Sequence, residues 1–88
     1  MVSRNLQVVN PTGLHLRPAG IVCQAAMKFK SRIMILHKEK QLNAKSVLNM
    51  MTSGIKCGDE IEVQCTGEDE AEALESICNL ILTGLEDY

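Results

Sequence analysis

Aromatic residues are almost missing from this chain, which has no Trp, one Phe (Phe29) and one Tyr (Tyr88). So few rings cannot stack successive bases, as most single-strand RNA and DNA binders do. The core must instead be aliphatic. No C-x-x-C pair occurs among Cys23, Cys57, Cys65 and Cys78, so zinc-type spacing is lacking and neither a metal site nor a cofactor is expected. No run approaches the ~20 apolar residues needed to cross a bilayer. The first ten residues include Arg4 and do not read as an export signal. Membrane insertion is therefore not expected, the compartment reads as cytoplasmic, and the cysteines read as free or buried thiols. Repeats, linkers and low-complexity runs are lacking too, and 88 residues hold one core, so 1–88 reads as a single domain.

Negative charge is nearly absent from the first half. Of eleven acids only Glu39 precedes Asp59, while all nine Lys and Arg lie between Arg4 and Lys56. Such a two-signed chain tracks nucleic-acid phosphates poorly, and no nucleic-acid partner is expected. A basic half can still meet an acidic protein surface and speed encounter. Part of the asymmetry needs no partner, because acids suit the start of a helix and other charges simply solvate a face.

What the chain does have is clear periodicity. Val2, Arg4, Leu6 and Val8 alternate with Ser3, Asn5, Gln7 and Val9, the period-two pattern of a strand. Asn10-Pro11-Thr12-Gly13 is a turn. From Leu16 to Phe29, Ala19, Val22, Cys23, Ala26 and Phe29 recur at helical spacing. Pro18 fits a first turn, where its missing N–H breaks no bond, and Lys28 and Lys30 suit the far end. Arg32–His37 reads as a second strand and Gln41–Asn43 as a short third, joined by Lys38-Glu39-Lys40. Ser46 is an N-cap for a short helix carrying Val47, Leu48, Met50 and Met51, which Gly54 ends. Glu60–Thr66 is the cleanest alternation. Thr66 and Asp69 have capping-box spacing ahead of a last helix with Leu74, Ile77, Cys78, Ile81 and Leu85 on one stripe. Met27, Met34 and Met50 read as core filler, and Met51 as a surface residue. The order β-α-β-β-α-β-α, with one apolar face per long helix, predicts an α+β fold. It should be a four-stranded antiparallel sheet with helices on one face.

Chemistry concentrates in Gly13-Leu14-His15-Leu16-Arg17-Pro18-Ala19. This stretch puts a nucleophile where a turn becomes a helix. The first helical amides lack intrahelical acceptors and sit at the positive end of the helix dipole, a setting that favours a phosphate. A phosphoryl group on His15 could accept hydrogen bonds from the amides of Leu16 and Arg17. The Arg17 guanidinium could add a charged contact to the same oxygens. Elsewhere, His37 at a strand end reads as solvated or packed rather than as a ligand.

Gly13-Leu14-His15-x-Arg17-Pro18-Ala19 resembles the active-site signature of the histidine-containing phosphocarrier family (HPr) of the bacterial phosphoenolpyruvate–sugar phosphotransferase system. Asn43-Ala44-Lys45-Ser46-Val47-Leu48, with Met51, Ser53 and Gly54, is similar to the family's second signature, and Gly58-Asp59-Glu60-Ile61 and the closing helix extend the likeness over the whole chain. The resemblance implies an open-faced β-sandwich and a carrier rather than an enzyme. It implies that His15 accepts a phosphoryl group from enzyme I and passes it to IIA domains of sugar permeases, with Arg17 contacting the phosphate. Val47, Leu48 and Met51 would form the docking patch of a monomer. Position 16 departs from the family, where alanine is usual and this chain has Leu16. In Gram-positive members a serine kinase modifies the residue matching Ser46, which implies a kinase/phosphorylase and a transcription regulator as further partners. That regulatory role, without histidine chemistry, is the alternative reading of the chain. Ser46 and its surroundings resemble the sugar branch more than a nitrogen-regulating one.

Overall fold

The computed structural model describes residues 1–83. Leu85, expected on the last helical stripe, lies outside the described residues. The elements are β1 (Val2–Gln7), α1 (Leu16–Ala26), β2 (Arg32–His37), β3 (Lys40–Asn43), α2 (Val47–Met51), β4 (Glu60–Thr66) and α3 (Glu70–Leu82). The strands form one antiparallel sheet in the order β1-β4-β2-β3. The expected element order and sheet are what the structure has.

Alternation sets which face is covered. Leu6, Ile33, Ile35, Leu42, Ile61, Val63 and Cys65 are buried, while Asn5, Gln7, Gln41, Asn43 and Glu60 on the opposite parity are exposed. Register lines the apolar set up across strands: Leu42 faces Ile35, Ile35 faces Val63, and Ile33 faces Cys65. The helices close this layer with Ala19, Val22 and Ala26 of α1, Met50 of α2, and Ala73, Leu74, Ile77, Cys78 and Ile81 of α3. Each isoleucine buried there contributes about 1.5–3 kcal/mol, which is how so few rings suffice. Among the described residues no helix lies over the other sheet face.

Several details depart from the sequence expectations. Helix α1 ends at Ala26, three residues before Phe29, because tight turns follow and other segments take the freed groups. Lys45 Nζ donates to the Phe29 carbonyl (2.7 Å), and the Lys30 and Ser31 amides donate to the Asp69 carboxylate (2.9 Å each). Lys28 and Lys30 therefore lie beyond the last turn they were expected to complement. Met27, expected in the core, is 64% exposed, since the helix has already turned its apolar face inward at Ala26.

Thr66 does not cap α3. It is the last residue of β4, opposite Arg32, and the N-cap is Asp69, whose side chain is drawn off to Ser31 and Lys30. Glu70 takes over part of the capping by accepting from the Gly67 amide at 3.0 Å. Finally, β3 starts at Lys40, one residue early, after a turn in which Lys38 adopts φ 58°.

Candidate functional site

The segment that carries His15 is held by a second loop running beneath it. Val8 donates its amide to the Asp59 carbonyl (2.9 Å), Gly58 donates to the Val8 carbonyl (2.8 Å), and Leu14 donates to the Ile55 carbonyl (3.1 Å). Gly13, at φ +66°, lies so close to Ile55 and Lys56 that any Cβ there would collide with their backbone. Asn10 is fully buried, accepts the Gly13 amide on its carbonyl (3.0 Å), and donates its Nδ2 to the Gly13 carbonyl. Leu14 then points into the core at 2% exposure.

The lower loop has its own anchor. Asp59 Oδ2 accepts from the Lys56 amide (3.0 Å) and from His37 Nε2 (3.0 Å). The Lys56 amide bond, helped by His37, holds the Asp59 carboxyl below its ordinary value. A carboxylate only accepts, so His37 donates through Nε2. The expectation that His37 is solvated or packed resolves as packed: it is 4% exposed and paired.

His15 emerges from this frame as the N-cap of α1, with extended backbone (φ −79°, ψ −168°) and an exposed side chain that makes no capping bond. Its carbonyl accepts from Ala19 N at 2.8 Å, the first bond of the helix. Between them Pro18 has no N–H to offer. The first turn is thus left with the amides of Leu16 and Arg17, and neither has an acceptor among the described residues. Both side chains are exposed, Leu16 by 64%. The expected trio therefore shares one solvent-facing helix start.

The second group forms at the start of α2. Ser46 is the N-cap there, its Oγ accepting from the Asn49 amide at 3.2 Å. Cys23 Sγ of α1 donates to the Lys45 carbonyl at 3.1 Å, which ties the two helices together just before that cap. Val47, Leu48 and Met51 are 40%, 61% and 38% exposed, whereas Met50 between them is fully buried. The expectation that Met51 is a surface residue and Met50 core holds. Sequence reasoning missed Asn10, the Ile55 carbonyl and the His37–Asp59 pair. Asn before Pro reads only as turn chemistry, and nothing in the letters forecasts a backbone acceptor or a partner 22 residues away.

Residues 2–83 match the PTS-HPr family, described as the PTS HPr component phosphorylation site. The phosphocarrier protein HPr of Treponema pallidum is 38% identical over 87 residues, covering 99% of each chain. The crystal structure of an HPr from Thermoanaerobacter tengcongensis superposes with a TM-score of 0.90 at 36% identity, covering 94% of this chain and 93% of that one. Crh, the catabolite repression protein of Bacillus subtilis, superposes with a TM-score of 0.77 at 34% identity, covering 96% of this chain and 97% of that one. The chain belongs to the HPr family, the phosphocarrier proteins of the phosphotransferase system. It functions as a carrier of that sugar-transporting system and not as a catalyst.

Proposed function

We propose that His15 is the residue that carries the phosphoryl group, received from enzyme I and handed to IIA domains of sugar permeases. The observation that supports this most is the unfinished start of α1, where an exposed imidazole stands beside two amides without acceptors. A ring nitrogen attacks phosphorus with its lone pair, the N–P bond forming as the bond to the donor breaks. The phosphoryl oxygens then accept from Leu16 N and Arg17 N, and the Arg17 guanidinium adds charge. The helix end contributes about 0.3–1 kcal/mol, or up to about 2 if partly buried. That is enough to steady the group and too little to trap it.

The exposed side chains of Val47, Leu48 and Met51, with Leu16, form the docking patch in this reading, and basic residues nearby suit acidic partners. The carrier works as a cytoplasmic monomer of one domain, because successive donors and acceptors must use the same free face. Ser46 is the regulatory position. A phosphate there sits at the start of α2 and sets negative charge beside the patch, opposing an acidic partner.

The test supplies phosphoenolpyruvate and enzyme I and maps the label. Acid-labile, base-stable phosphate should appear on the parent chain and vanish in His15→Ala; label that persists in the variant rules the assignment out. The likeness to Crh favours one second reading, a regulatory module that acts through phospho-Ser46 on a transcription regulator. Serine labelling by a kinase and ATP, with no histidine labelling by enzyme I, would select it.

A further inference from the structure

We infer that Asn10 is a positioning residue for phosphoryl transfer, acting through the peptide unit between Gly13 and Leu14. The inference rests on the reading of His15 as the phosphoryl acceptor.

That peptide unit is gripped at both polar ends. Its carbonyl accepts from Asn10 Nδ2, and its N–H, that of Leu14, donates to the Ile55 carbonyl at 3.1 Å. The next residue is His15, whose own carbonyl is fixed by Ala19 N at 2.8 Å. The backbone that bears the imidazole is thus pinned on both sides, and the ring keeps only its side-chain torsions. Of the two pins on this peptide unit, the Ile55 carbonyl is backbone and the Asn10 carboxamide is a side chain.

Burial makes the choice of residue informative. Asn10 is fully buried, and its Oδ1 has no partner among the described residues. A buried acceptor in that state costs about 1–3 kcal/mol, which offsets what the Nδ2 bond to the Gly13 carbonyl contributes to stability. The carboxamide earns its place by its donor. Without that bond the peptide unit is held on one side only, by Leu14 N on the Ile55 carbonyl, and the imidazole can drift from the amides of Leu16 and Arg17. Displacements on the order of 1 Å in a reacting group cost up to about 100-fold in rate.

Asn10→Ala tests this beside Val63→Ala, a core variant remote from the loop. Each is followed by thermal unfolding and by the rate of labelling from phosphoenolpyruvate with enzyme I. Asn10→Ala should fold and label about tenfold or more slowly, while Val63→Ala should melt lower and label at the parent rate. Parent-rate labelling of Asn10→Ala, or equal slowing in both variants, overturns the inference and leaves His15 as the acceptor. A parent chain without histidine label overturns both. If Asn10→Ala does not fold, the parent decides: the Asn10 carboxamide proton signals should shift when His15 is phosphorylated, and unmoved signals reject the coupling.

Discussion

A methyl group at Gly13 would be driven into the Ile55 carbonyl, and the backbone there has φ +66°, a region that strains any side chain. The residue is therefore fixed by space as well as by torsion. Gly13→Ala should lose about 1–3 kcal/mol of stability, read from denaturant unfolding. Its labelling on His15 should slow as well, because relief of the clash moves Leu14 away from Ile55. At this scale the sequence was most legible in the placement of the proposed carrier segment. His15, Leu16 and Arg17 all stand in solvent at a helix start, as the letters imply. It was least legible for Asn10, whose bonds to Gly13 are local but whose full burial no letter of the turn forecasts.

Among the elements, α2 is the most exposed to its cap. It has five residues, too few for cooperative helix formation to hold it alone. The Ser46 Oγ bond to Asn49 N and the Thr52 Oγ1 bond to the Leu48 carbonyl (2.7 Å) close its two ends. Ser46→Ala should cost about 0.5–2 kcal/mol, measurable as a lowered unfolding temperature, with histidine labelling retained. Strands β2 and β4 and this cap could be placed from periodicity because each is decided within a few residues. The end of α1 and the cap of α3 could not. The first depends on the tight turns after Ala26 and on Lys45, which holds the Phe29 carbonyl, and the second on Asp69, whose carboxylate goes to Ser31 and Lys30 rather than to its own helix.

For the molecule as a whole, that same carboxylate fastens the turn before β2 to the start of α3. Hydrogen bonds from the Ser31 hydroxyl, then from the Lys30 and Ser31 amides, hold Asp69 down at about 2. Asp59 and Glu70 are held below their ordinary values too, chiefly by the Lys56 and Gly67 amides. A lowered carboxyl favours the folded chain above its unfolded value, and the advantage is lost as pH falls through the folded one. Stability should therefore decline from the ordinary carboxylate range near 4 down to about 2. Asp69→Asn should melt lower at neutral pH and lose part of that acid dependence, in thermal unfolding followed from pH 7 to pH 2. None of this was visible in a charge count. Burial pushes Cys65 up to about 11 and raises Cys78 as well, so the interior thiols stay protonated and play no part in that decline.

A helix whose opening residue leaves its own cap unmade is a lock waiting for a key carried by that residue. Whatever the two spare N–H groups give to the cargo, the cargo must return to the fold, since linkage runs both ways. Charged carrier should consequently unfold at a higher temperature than spent carrier, and a melting curve taken during turnover would register how full the pool is.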